Sequence, residues 1–175
     1  MTAPSARVAL ITGGASGIGA ACALRAAKLG YAVAINFHTR NEEAQKVRNQ
    51  CSALSPEVLL VQGDVTSDDD CRRIAGHIRE TWGRLDILVN SAGTTRVVDG
   101  RDLDALSTSD FDAAFSVNCR GPFQMIRAAR SMLEASKGSV VNVSSHAGIS
   151  GYGSSLAYAA SKGALDALTR ALAVD

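Results

Sequence analysis

At 175 residues, 46% hydrophobic and 20% charged, with a formal net charge of +1, the chain has the make-up of one ordinary globular domain. A charge so near zero, with no block of basic residues, excludes long-range attraction to nucleic acid or an anionic membrane surface. The opening MTAPSARVALIT is too short in apolar residues for a secretory leader, and no stretch approaches the ~18 apolar residues of a membrane span.

Cys22, Cys51, Cys71 and Cys119 are scattered without paired spacing, and His38, His77 and His146 are equally dispersed. The expectation is a cytoplasmic protein with free thiols and no metal site.

In chain order, RVALIT (7–12) predicts a buried strand and GIGAACALRAAKLG (17–30) an Ala-rich helix closing on Gly30. YAVAINF (31–37) is strand-like, and 41–54 is helical with acids in its first turn. EVLLVQGD (57–64) predicts a strand, and 67–83 a helix with Ser67 as N-cap. Asp68, Asp69 and Asp70 then complement the helix dipole. RLDILVNSAG (84–93) predicts a strand running into a glycine turn. Two helices follow, about 102–116 and 120–136, then a strand at 139–145 and a last helix from Ser155 to the end. Strands alternating with helices predict an α/β fold with a doubly wound parallel sheet, three layers αβα, in strand order 3-2-1-4-5.

TGGASGIG (12–19) joins the first strand to the first helix. Gly13, Gly17 and Gly19 permit a tight turn and close backbone approach, and the helix N-terminus offers N–H groups to a pyrophosphate. The strand–turn–helix context makes this a dinucleotide site rather than a chance glycine triplet. An acid at the end of the second strand would favour NAD, but the residues there are Asn36-Phe37-His38-Thr39-Arg40. His38, Thr39, Arg40 and Ser16 suit a 2′-phosphate instead, so NADP is expected, with NAD as the alternative.

TGxxxGIG at 12–19, Asn90-Ser91-Ala92-Gly93, NVSS at 142–145 and Tyr158-x-x-x-Lys162 occur together and in order. With these motifs the chain resembles the short-chain dehydrogenase/reductase family over essentially its whole length. The resemblance implies a Rossmann sheet and an NAD(P)-dependent oxidoreductase, with a general look close to 3-oxoacyl-thioester reductases and sugar dehydrogenases. It implies catalytic roles for Asn118, Ser145, Tyr158 and Lys162, Ser145 lying thirteen residues before Tyr158 and Ser144 one position early. It also places Asp64 and Val65 by the adenine, and Asn90, Ala92 and Gly93 along the cofactor. Ile18 belongs to the same cofactor turn, and Tyr158 and Lys162 would also touch the cofactor.

Two departures stand out: Ser16 occupies a position where many NADP-dependent members carry Lys or Arg, and the family pattern normally continues past TRALAVD. The resemblance therefore leads us to expect residues 1–175 to be a single NAD(P)-binding domain truncated at its C-terminal end. Specificity in the family lies in that later part and in TTRVVDGR (94–101).

The residue chemistry agrees with this. Reduction of a ketone or aldehyde needs a proton for the developing alkoxide, and an ammonium one helical turn from a phenol favours the phenolate. Ser145 would donate to the carbonyl oxygen, and Asn118 would hold a water linking Lys162 to solvent. The partner expected is a small carbonyl or alcohol substrate. A homodimer or homotetramer through the helices near 105–135 and 155–175 is implied as well. The competing reading is a non-catalytic dinucleotide-binding or scaffold protein.

Overall fold

β1 (Val8–Thr12) and β2 (Ala32–Phe37) are built mostly from Val, Ile, Leu and Ala, and all of their residues are buried. Burial of every residue means that both faces of the sheet are covered, as a parallel arrangement requires. The computed structural model describes residues 6–55, 57–99 and 102–174. β1 pairs in parallel with β2, Val8 opposite Ala32, and with β4 (Ile87–Asn90), Ala9 opposite Ile87. β2 pairs in parallel with β3 (Val58–Gln62), Val33 opposite Val58. With β5 (Ser139–Asn142) the five-stranded sheet has the order β3-β2-β1-β4-β5, the Rossmann order expected from the sequence.

Helices flank this sheet. α1 (Gly17–Lys28) packs against α2 (Asn41–Ser52). On α3 (Asp68–Trp82), Ser67 accepts the Asp70 N–H as the expected N-cap, and Gly83 closes the helix in a left-handed conformation. α3 is tied to the long helix α5 (Gly121–Ser136) through the Arg127–Asp68 ion pair at 2.6 Å.

The chain forms two compact units. Met1–Ala92 with Gln124–Val141 holds the glycine turn and the strands, apart from the last residue of β5. Gly93–Phe123 with Asn142–Asp175 holds α4 (Thr108–Phe115), the start of α5, α6 (Ala147–Ser150) and α7 (Leu156–Leu172).

Several boundaries differ from the expectation, four of them with a bearing on the second unit. The helix expected from 102 begins at Thr108, because Ser107 and Asp110 form a reciprocal capping box there. The break expected between two helices is instead a π-helical turn, Ser116–Arg120, that carries α4 into α5. Pro122 has no N–H to give the Asn118 carbonyl four residues back, so an ordinary α-turn cannot close there. The strand expected to reach 145 stops at Asn142, and α6 follows after a short turn. The last helix ends at Leu172; Asp175, like Gly100 and Arg101 of the 94–101 segment, lies outside the described residues.

Candidate active site

The first unit carries a cradle of glycines. Gly13 has φ +62°, and a Cβ there would meet Ala92 Cα at 2.7 Å, so only glycine lets the turn lie on the end of β4. Gly19 packs on the Gly13 carbonyl, where a side chain has no room. Gly17 takes φ +55° with open space where a Cβ would be. Ser16 is the N-cap residue of α1 but makes no side-chain cap, so the first amides of α1 keep their donors facing an exposed Ser16-Gly17-Ile18 surface.

Sequence reasoning missed Gly14 and Thr12. The Gly14 N–H donates to the Asn36 carbonyl at 2.9 Å, and a Cβ there would meet Ile35 Cγ2 at 2.8 Å. Thr12 Oγ1 accepts the N–H groups of Ser91 and Ala92 at 3.1 and 3.2 Å, binding the two turns to each other. Asn90, at the end of β4 opposite Thr12, is buried.

At the end of β2 the expected phosphate-binding residues partly converge. Arg40 Nη1 donates to Ser16 Oγ at 3.2 Å, and His38, Thr39 and Arg40 are all exposed. His38 Nε2 lies 3.9 Å from Asp64 Oδ2, while Asp64 Oδ1 accepts the Thr66 N–H. The Asp64 N–H donates to Asp70 Oδ2 at 2.8 Å. That backbone donor, with Arg73 beside it, holds the Asp70 carboxyl below the usual carboxylate range. Val65 is buried, and its carbonyl accepts Gln124 Nε2 at 2.8 Å and Cys71 Sγ at 3.4 Å. Burial pushes the Cys71 thiol up to about 11. No group of three or more acidic, histidine or cysteine residues among the described residues can hold a metal ion.

The second unit brings Asn118, Ser145, Tyr158 and Lys162 into one neighbourhood. Tyr158 and Lys162 sit one turn apart on α7, which Ser155 caps by accepting the Tyr158 N–H. The Lys162 ammonium lies 5.8 Å from the Tyr158 ring centroid and donates to the Val143 carbonyl at 2.7 Å. Burial pushes the Lys162 ammonium below its ordinary value, and Asp166 opposes that shift. The Tyr158 hydroxyl makes no hydrogen bond among the described residues. Ser145 Oγ accepts the Ala147 N–H at 3.2 Å, which fixes the oxygen and leaves its proton available to a carbonyl. Ser144 points elsewhere, its Oγ 3.5 Å from the Lys162 carbonyl.

Asn118 is fully buried in the π turn. Its Oδ1 accepts the Thr94 N–H, and its Nδ2 donates to the Thr94 carbonyl and to Ser161 Oγ, each at 2.9 Å. The side chain is thus committed to protein groups. Gly93 begins the exposed segment whose next residue Asn118 clamps.

A sequence model of the short chain dehydrogenase family matches residues 7–175. The chain is 43% identical over 172 residues to a protein of Streptomyces violaceoruber named as a ketoacyl reductase of granaticin polyketide synthase, covering 98% of this chain and 68% of that one. It spans about two thirds of the length of the curated relatives it matches. A short-chain dehydrogenase/reductase structure from Burkholderia xenovorans superposes with a TM-score of 0.96 at 44% identity, over 97% of this chain and 72% of that one. A metagenomic short-chain oxidoreductase solved with NADP superposes with a TM-score of 0.87 at 32% identity, over 95% of this chain and 75% of that one.

Proposed function

The chain belongs to the short-chain dehydrogenase family, and from that premise we propose that it is an NADP(H)-dependent oxidoreductase interconverting a ketone or aldehyde and the corresponding alcohol. The observation that carries the reading is the grouping of a hydroxyl with a proton to give (Ser145), a phenol whose hydroxyl has no hydrogen bond among the described residues (Tyr158) and a buried ammonium beside it (Lys162).

The glycine cradle fits a dinucleotide: side chains are excluded at Gly13 and Gly19, and uncapped α1 amides face the opening. Those residues would hold the pyrophosphate, while Arg40 with Ser16 supports a 2′-phosphate and hence NADP over NAD. A solved relative with NADP bound supports the same choice. The nicotinamide supplies the hydride when bound.

The chain's residues manage the proton. The Ser145 O–H donates to the substrate oxygen and orients it. The Tyr158 phenol gives its proton to that oxygen as the C–O bond becomes an alkoxide, and takes one back in the reverse direction. The Lys162 ammonium favours the phenolate left on Tyr158. Four free cysteines, two of them fully buried, support a reducing cytoplasmic setting.

The test is NADPH and then NADH oxidation by the purified protein over ketones, aldehydes, sugars and β-keto thioesters. Tyr158→Phe should lower kcat on the order of 10²–10⁴-fold with coenzyme binding intact, the range general acid catalysis contributes. Retained turnover refutes the Tyr158 role. Arg40→Ala should raise KM for NADPH about tenfold and leave that for NADH unchanged, as loss of one charge-assisted contact predicts.

A further inference from the structure

We propose that Ser161 is a positioning residue for the proton-transfer pair, acting through the hydrogen-bonded line Thr94–Asn118–Ser161–Tyr158. The inference rests on the proposed oxidoreductase reading and extends it to a residue outside the Asn118, Ser145, Tyr158 and Lys162 group.

Ser161 is fully buried on α7, next to Lys162 and three residues after Tyr158. Its neighbours Ala157, Ala159 and Ala160 are better helix formers, and alanine here would spare the helix a buried hydroxyl. The hydroxyl is fully employed instead. It donates to the Tyr158 carbonyl at 2.8 Å and accepts Asn118 Nδ2–H at 2.9 Å. The second Asn118 N–H and its oxygen hold the carbonyl and N–H of Thr94. One carboxamide therefore spans from the segment after β4 to α7, and among the described contacts Ser161 is its link to α7.

The neighbouring residues hold the same stretch of helix from other directions. Lys162 Nζ is bound to the Val143 carbonyl, and Gly163 lies against Gly148 with no room for a side chain on Gly148. Three successive residues of α7 thus fix the helix at the level of Lys162. Only Ser161 fixes it through an uncharged side chain that substrate does not need to touch. Removing its hydroxyl leaves a buried Asn118 N–H without an acceptor, and the carboxamide must turn or shift to find another. Either response moves Thr94, α7 or both, and displacements of about 1 Å at a reacting group cost on the order of 10²-fold in rate.

The test compares Ser161→Ala and Ser161→Thr in the purified protein. Ser161→Ala should lower kcat at least tenfold, displace the pH profile of kcat, and leave KM for NADPH within twofold. Ser161→Thr, which keeps the hydroxyl, should recover most of kcat and the wild-type profile. A Ser161→Ala enzyme with kcat within twofold and an unmoved profile overturns the proposal, as does a Ser161→Thr enzyme as impaired as Ser161→Ala. Hydrogen exchange at the Thr94 amide reads the link without turnover. It should accelerate at least tenfold in Ser161→Ala and not in Ser161→Thr, and unchanged exchange also overturns the proposal. A wild-type protein that reduced no carbonyl would refute the oxidoreductase reading, and the Thr94 exchange would then decide the Ser161 link by itself.

Discussion

Single residues show charge being used for opposite ends. Lys162 is buried at a cost to its ammonium, and that cost is tolerated beside the phenol it serves in the proposed chemistry. Asp86 is also nearly buried, yet it stabilises. Burial alone would raise its carboxyl, but the Arg84 guanidinium and the Val8 N–H, at 2.6 and 2.7 Å, outweigh that and hold it below the usual carboxylate range. A carboxyl lowered by folding contributes stability that is complete above its unfolded value near ~3.9 and is lost as pH falls through the folded value. Asp86→Asn should therefore cost about 2 kcal/mol in urea unfolding at pH 7 and less at pH 3. An equal loss at both would show that the ionic contribution is absent. Asp86 was visible in the sequence only as a residue near the start of a strand, because its partner Val8 is 78 positions away.

At the scale of elements, all five strands and the long helices were legible, and the four-residue α6 and the π turn were not. β1, α1, β2, α2 and α3 carry apolar periodicity, caps and glycine stops along their own length, and the observed bounds lie within a few residues of those expected. α6 has four residues, too few for a period, and forms because the turn after Asn142 is gathered by Ser145 and His146. The π turn is likewise a response to one residue, Pro122, set inside an otherwise helical run. α6 nevertheless packs directly on α7, beside Lys162. A Cβ on Gly148 would meet the Gly163 nitrogen and the Lys162 carbonyl carbon at 2.8 Å. Gly148→Ala should cost about 1–3 kcal/mol by thermal unfolding and reduce turnover through displacement of Lys162. A variant as stable and active as wild type would show that the contact is not needed.

For the whole molecule, the second unit carries a groove of about 360 Å³ lined by Asp112, Phe115, Ser116, Cys119, Phe123 and Leu168, among others. Phe111, Phe115 and Phe123 are 38%, 37% and 40% exposed, and Phe115 and Phe123 line this groove, so the aromatic surface is contiguous there. These residues lie on the helices near 105–135 and 155–175 from which self-association was expected, and we propose that a second copy of the chain covers them. Phe115→Asp should shift the mass measured by light scattering from an oligomer toward the monomer. A wild-type protein that is monomeric at micromolar concentration would refute this surface.

By itself the amino-acid sequence determined the order and type of the strands and main helices and the glycine turn, and its resemblance to a family pointed to the proposed set Asn118, Ser145, Tyr158 and Lys162. The elements and the turn are written in local spacing, where periodicity, caps and positive-φ glycines act over a few residues. Only the tertiary structure decided the partners of those residues. It joins Arg40 to Ser16, clamps Thr94 with Asn118, passes that clamp to Ser161 and anchors Lys162 on Val143. Such bonds link positions 19 to 43 residues apart. Which buried donor meets which acceptor depends on how the elements pack, and no local pattern records that choice.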